Sequence, residues 1–278
     1  MLNIIKADMY RILRGKGFYI TTIILVLFIV TQVMSNNAAG VFVTTNTNDS
    51  LMVTYDENGN EVITSSYEEP PKYTGSLAPF KMMENADVLF YFILPFIIFA
   101  VSADFSADTI KNTISGGMPR IKYYLSKLIL SFLFCFYVLF VTILISIITG
   151  TILYGFGGQF NLDLILRILR PFLAQLFMLI SVNCVGVFFV FLTKRPAVMN
   201  VSYIAFCLLP IMIMSFIIMA KPDFEFLFNY DNAMNIRLLA GIDTAASTDI
   251  IRAFMMGGIY ILASTIGGIL IFKKSEIK

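Results

Sequence analysis

Apolar residues along this chain gather into six long runs, each set between segments rich in charged or turn-forming residues. A helix that crosses a bilayer needs about 20 mostly apolar residues, because the hydrocarbon is about 30 Å thick and each residue rises about 1.5 Å. Residues 18–34, 86–103, 124–154, 171–193, 197–220 and 253–272 meet or approach that length, and each predicts one crossing. The second run is the least complete, since only 88–103 is free of charge. The third continues uncharged as far as residue 162, longer than one crossing requires, so Gly155, Gly157 and Gly158 are expected to end it. Lys194, Arg195 and Pro196 alone separate the fourth run from the fifth, which predicts a tight charged hairpin between antiparallel helices. Polar residues rather than a small-residue cleavage pattern follow the first run, so it reads as a retained span.

The segments between the runs carry their own patterns. In residues 1–16, Leu2, Ile5, Met9, Ile12 and Leu13 recur at helical spacing, while Asn3, Lys6, Asp8, Arg11 and Arg14 take the other positions. That pattern predicts an interfacial amphipathic helix, its apolar stripe in the headgroup layer and its basic residues against anionic lipid. Residues 35–85 form a polar loop with a Pro70-Pro71 pair, and the alternating stretches 52–55 and 61–64 flank Asn58-Gly59 as in a small hairpin. A modest cap and an unstructured linker both fit that composition. Asn48-Asp49-Ser50 matches a glycosylation sequon. Apolar residues within 221–252 predict short helices lying near the membrane face. Between the second and third runs, residues 104–123 predict two short helices parted at Gly116-Gly117, with Phe105, Thr109 and Ile110 on one face of the first and Met118-Pro119 leading into the next.

Composition agrees with a chain that folds in lipid. Of its 278 residues 58% are hydrophobic and 14% charged, far too little polar surface for a water-soluble domain of this size. Cys135, Cys184 and Cys207 all fall inside apolar runs, so they read as small core residues rather than a disulfide framework. Histidine is absent, which removes the commonest metal ligand and the commonest general base together.

Charge then sets orientation, because basic residues of short loops are retained in the cytoplasm. With both termini inside, the inner side holds Lys6, Arg11, Arg14, Lys16, Lys111, Arg120, Lys122, Lys127, Lys194, Arg195, Lys273, Lys274 and Lys278, thirteen of the 20 basic residues. Of the 18 acids, only Asp8, Asp104, Asp108 and Glu276 accompany them. The expected architecture is an all-α membrane protein: one domain over 1–278, six spans, both ends inside.

Within the segment after the second span, Asp104-Phe105, then Thr109-Ile110-Lys111, then Arg120 through Tyr123-Tyr124 to Ser126-Lys127 stand in series. This outline resembles the corresponding segment of type-2 ABC transporter permeases, the ABC-2 family, with Ala107 where a glycine is usual. The opening Lys6-Ala-Asp-Met-Tyr-Arg11 and Arg14-Gly-Lys16 is similar to the basic connecting helix of such permeases. The resemblance implies that residues 104–119 act as a coupling helix docking on a separate ATP-binding cassette subunit, with Asp104, Phe105, Asp108, Thr109, Ile110, Lys111, Arg120 and Lys127 as the coupling residues. It also implies a second permease chain, ATP and Mg held on the partner ATPase, no cofactor or metal on this chain, no nucleic acid partner, and a bacterial cell membrane.

The chain lacks G-x-x-x-x-G-K-[ST], so nucleotide hydrolysis by a P-loop has to come from a partner. The expected function is export of a peptide or an apolar or amphipathic compound. An intramembrane hydrolase is disfavoured, since no Ser-His pair or histidine metal site is available and no two carboxylates lie deep in the spans. A secondary transporter and a non-transporting accessory subunit are the alternatives, the former weakened by the lack of an ionisable residue in mid-span and of an internal repeat. Ala263, Ser264, Gly267 and Gly268 permit close helix packing, which serves contacts within one chain as readily as between two.

Overall fold

The computed structural model describes residues 2–42, 53–55, 61–63, 73–106 and 109–274. Among them six helical segments are long and apolar enough to cross a membrane: Lys16–Ser35, Ala86–Phe105, Arg120–Tyr154, Leu162–Thr193, Pro196–Ala220 and Ser247–Lys274. The protein is thus a multi-pass helical membrane protein in its build. Its elements are α1 (Leu2–Arg14), α2 (Lys16–Phe42), a two-stranded hairpin of β1 (Val53–Tyr55) and β2 (Glu61–Ile63), α3 (Ala78–Glu84), α4 (Leu89–Ile97), α5 (Ala103–Ser106), α6 (Thr109–Ser115), α7 (Arg120–Tyr154), α8 (Leu162–Thr193), α9 (Pro196–Ala220), α10 (Asn232–Leu238) and α11 (Ser247–Lys274). The strands pair antiparallel with Val53 opposite Ile63. The sequon Asn48-Asp49-Ser50, the Asn58-Gly59 turn and Asp108 lie outside the described residues.

The helix boundaries follow from local chemistry. Gly155, at φ 78°, ends α7 in a conformation that side-chain-bearing residues avoid. Asn161 opens α8 by accepting the Leu164 amide at 3.0 Å, and α8 starts nine residues before the apolar run read from the sequence. Lys194 closes α8 in the left-handed region, and Pro196 starts α9 at its first turn, where the missing amide costs no bond. The second span is not one smooth helix. Pro95 sits inside α4, and a π-helical segment, Ile98–Ser102, follows before α5. A widened turn inserts one residue and so rotates everything beyond it by on the order of 100°.

The core is built around α8, which packs along α11 and also meets α7, α4 and α9. Phe18, Phe96, Phe134 and Tyr137 from three spans interlock in edge-on and stacked pairs. Polar side chains tie the bundle internally: Tyr203 donates to the Phe90 carbonyl, Asn183 to the Ser131 hydroxyl, and Gln175 to the carbonyls of both Met83 and Ile236. By contrast α9 fully buries only Met199 and Tyr203; Phe206 and Cys207 are half-buried against the core, and most of its other apolar side chains face outward, as on a lipid-solvated helix. Several small residues of α11 serve packing within the chain, while Gly258 and Ala263 face outward. Gly257 faces Phe177 and Met178, Gly267 faces Phe188, and Gly268 closes on Tyr124.

The apolar stripe of α1 packs partly on protein: Ile12 is buried, Ile5 and Met9 pack half-buried on the protein core, and Leu13 is exposed. Lys127, one of the expected coupling residues, is 1% exposed.

Candidate functional site

At the end of the bundle where α1, α5 and α7 converge, four charged side chains form a closed network. The Arg11 guanidinium donates to Asp104 Oδ1 at 2.7 Å and lies 3.2 Å from Asp8 Oδ1. Lys127 Nζ donates to Asp8 Oδ2 at 2.5 Å and also pairs with Asp104 Oδ2. Tyr123 donates its hydroxyl to Asp104 Oδ2 at 2.6 Å, and the Lys127 ammonium stands 5.3 Å from the centre of the Tyr123 ring. Two acids meet two bases, so the cluster is neutral as a whole. Burial alone would lower the Arg11 pKa, but the hydrogen bond and charge of Asp104 raise it above the ordinary value, so the guanidinium stays charged.

Helical geometry explains why these residues meet. Asp8, Arg11 and Ile12 share one face of α1, three and four residues apart, so the charges arrive beside the buried apolar anchor. Tyr123 and Lys127 stand one turn apart at the start of α7. Asp104 comes from the far side of the π-helical segment, whose extra residue helps set its direction. Asp104 is 2% exposed and Lys127 1%, so neither could be charged there without the other.

Each residue singled out from the sequence has a distinct place. Asp104 and Lys127 are in the network, joined by Arg11 from the opening helix. Phe105 packs edge-on against Phe191 of α8, and Ile110 is 3% exposed. Phe105 is half-buried and Ile110 buried, so both pack α5 and α6 onto the bundle. Arg120 donates to the carbonyls of Phe272 and Lys273, tying α7 to the end of α11. Asp108 is outside the described residues, as are the side chains of Thr109 and Lys111. Lys6 and Arg14 are exposed on α1, with Arg14 5.1 Å from the Tyr10 ring centre.

Among the described residues of this region, the turn after α6 is accessible, as are Ile121 and Lys122 at the start of α7. Ser115, Gly116, Gly117 and Pro119 are exposed, and Gly117, at φ 89°, has nothing within reach of a Cβ. Asp8 and Tyr123 also belong to this network, though the sequence reading did not single them out as site residues. A lone Asp on an otherwise basic helix face, matched by a Lys just inside an apolar run, is the signal that could have found them. No protein-family model matches this chain, and no curated protein matches it significantly.

Proposed function

We propose that the chain is the membrane-spanning permease subunit of an ATP-binding cassette exporter, driven by a separate ATPase subunit that docks on the turn at residues 115–119. The end bearing α1, α6 and the chain termini faces the cytoplasm, in keeping with the excess of Lys and Arg there. The observation that carries the reading is the buried network, which fastens α1 and the head of α5 to α7. A push on the exposed turn would otherwise be lost in bending of the loop. With α5 locked to α7 through Asp104 and Lys127, and α6 held by Ile110, it moves the third span as a lever. The cargo is a peptide or an apolar or amphipathic compound leaving through a pair of such chains, the second permease chain being identical or related.

Phe105 and Ile110 act in this scheme as internal anchors, and the contact with the ATPase falls to Ser115, Gly116, Gly117 and Pro119. Ser115→Cys, labelled in intact cells, should react only with reagents that cross the membrane. Purified together with an ATP-binding cassette subunit encoded beside it, the same variant should crosslink to that subunit, and ATP hydrolysis should respond to added amphipathic compounds. Labelling of Ser115→Cys by an impermeant reagent from outside, or an ATPase rate indifferent to this chain, rejects the proposal.

A further inference from the structure

At the opposite end of the bundle from the charge network, the start of α8, the approach to α3 and the turn at Ala240–Thr244 enclose an open cleft of about 550 Å³. Leu77, Phe80 and Leu164 give it an apolar wall, and Asp163 and Arg167 project from α8 into the same space. A third charge at the rim, Asp243, is already taken by Arg170 at 2.9 Å. Asp163 and Arg167 stand at the i, i+4 spacing that would let them close on each other, yet neither makes an ion pair with any of the described residues. The helix N-terminus beside them is occupied too, for Asn161 caps the Leu164 amide. The cleft therefore presents one uncommitted anion and one uncommitted cation, about 6 Å apart along the helix axis.

Their depth identifies the ligand class. α8 has 32 residues, about 48 Å of helix, and so overruns a hydrocarbon layer of about 30 Å. Its uninterrupted apolar stretch begins at Pro171, which puts Arg167 about 6 Å outside the hydrocarbon, within a headgroup layer about 5–7 Å deep, and Asp163 about 12 Å outside, beyond that layer on the water side. We propose that this cleft binds the headgroup of a zwitterionic phospholipid, Arg167 taking the phosphate and Asp163 the ammonium. In such a lipid the phosphate is attached to the glycerol and the amine reaches further into water, the same order in which the two side chains stand. The acyl chains then run down the face of α8 inside the hydrocarbon, on which Leu173 is exposed. The site requires only that α8 crosses the bilayer, so it stands or falls apart from the transport reading.

The test is lipid retention by the purified full chain in detergent, followed by native mass spectrometry while phosphatidylethanolamine or phosphatidylglycerol is titrated in. Wild-type protein should hold the zwitterionic lipid about tenfold more tightly than the anionic one, the difference one charge-assisted contact supplies. The double variant Asp163→Arg/Arg167→Asp keeps both charges but reverses their order, and should lose that preference. Arg167→Gln alone should weaken phosphatidylethanolamine by a similar factor, and serves if the reversed variant does not elute as the wild type does. Soluble glycerophosphoethanolamine, lacking acyl chains and free to turn round, should bind wild-type and reversed protein alike, and more weakly than the lipid. Equal retention of the two lipids by wild-type protein, or undiminished preference in the reversed variant, overturns the proposal.

Discussion

At one end of the bundle Asp8, Arg11, Asp104 and Lys127 neutralise one another with the central pair out of water; at the other, Asp87–Arg237, Arg170–Asp243 and Lys81–Glu84 pair at the surface. The distances are much the same, near 2.7 to 2.9 Å for most. Their energetic meaning is not. An exposed pair exchanges good hydration for a modest attraction and is screened by salt, so its net worth is about 0–1 kcal/mol. A buried pair has lost its hydration, and removal of one member strands a charge that nothing else can solvate. The distance between two charged atoms therefore says little until the solvent around them is known.

The comparison is broken most directly at Lys127. Lys127→Met should cost about 3–5 kcal/mol of stability in denaturant unfolding of the micellar protein, because Asp104 and Asp8 would then share only the half-exposed Arg11. If the loss is below about 1 kcal/mol, the network is no different from a surface pair. Adding Asp104→Leu to that variant should recover most of the loss. It removes the stranded charge and leaves Asp8 and Arg11 paired on α1, so an apolar replacement of the central pair comes close to neutral. Additive losses from the two changes would mean that Asp104 and Lys127 do not act as a unit.

Asp231 sharpens the contrast from the other end. It is 4% exposed, and burial raises its pKa above the ordinary value of 3.8 although it accepts the amides of Ala233 and Met234 and caps α10. Asp104, by comparison, has two cations in contact. A carboxyl with a raised folded-state pKa takes up its proton more readily than in the unfolded chain. Its contribution to stability is present below 3.8 and lost as pH rises through the raised value. Asp231→Asn keeps an acceptor for the cap and removes the titration, so its stability relative to wild type should climb as pH rises from 3.8 and level off toward neutral. A flat difference across that window would show that burial does not penalise the carboxylate.

The surface pairs should give the smallest effects. Arg237→Ala, which removes a two-point contact to Asp87, is expected to cost up to about 1 kcal/mol, most of it gone in high salt. Arg170→Ala, at a more exposed pair, should stay within about 0.5 kcal/mol. Unfolding at low and high ionic strength separates these from the Lys127 variants, whose loss should be nearly insensitive to salt.

The spans themselves were legible as apolar runs, and the short connections were legible too. Gly155 at the end of α7 and the Lys194–Pro196 hairpin are local conformational facts that residues state for themselves. The network was only half legible. Arg11 was identified on the basic opening helix, and Asp104 and Lys127 among the coupling residues of the segment after the second span, without the contacts that join them. Asp8 and Tyr123 were missed because a lone Asp on a basic helix face hints at a partner without saying which residue supplies it. Ile110, read as one of the coupling residues, is buried against the bundle, and a periodic apolar position cannot say which surface it packs on.

The sequence by itself determined that the chain lives in lipid, how many helices are long enough to span it, and where most of them stop. These depend on runs of transfer free energy and on backbone preferences, which are local and additive along the chain. Only the tertiary structure decided that Asp8, Arg11, Asp104 and Lys127 neutralise one another, that α1 turns part of its apolar stripe to protein, and that Asp163 and Arg167 stand unpaired beside a cleft. Each is set by which helices come together, at sequence separations of up to 119 residues, and proximity of that kind is not written in any one segment.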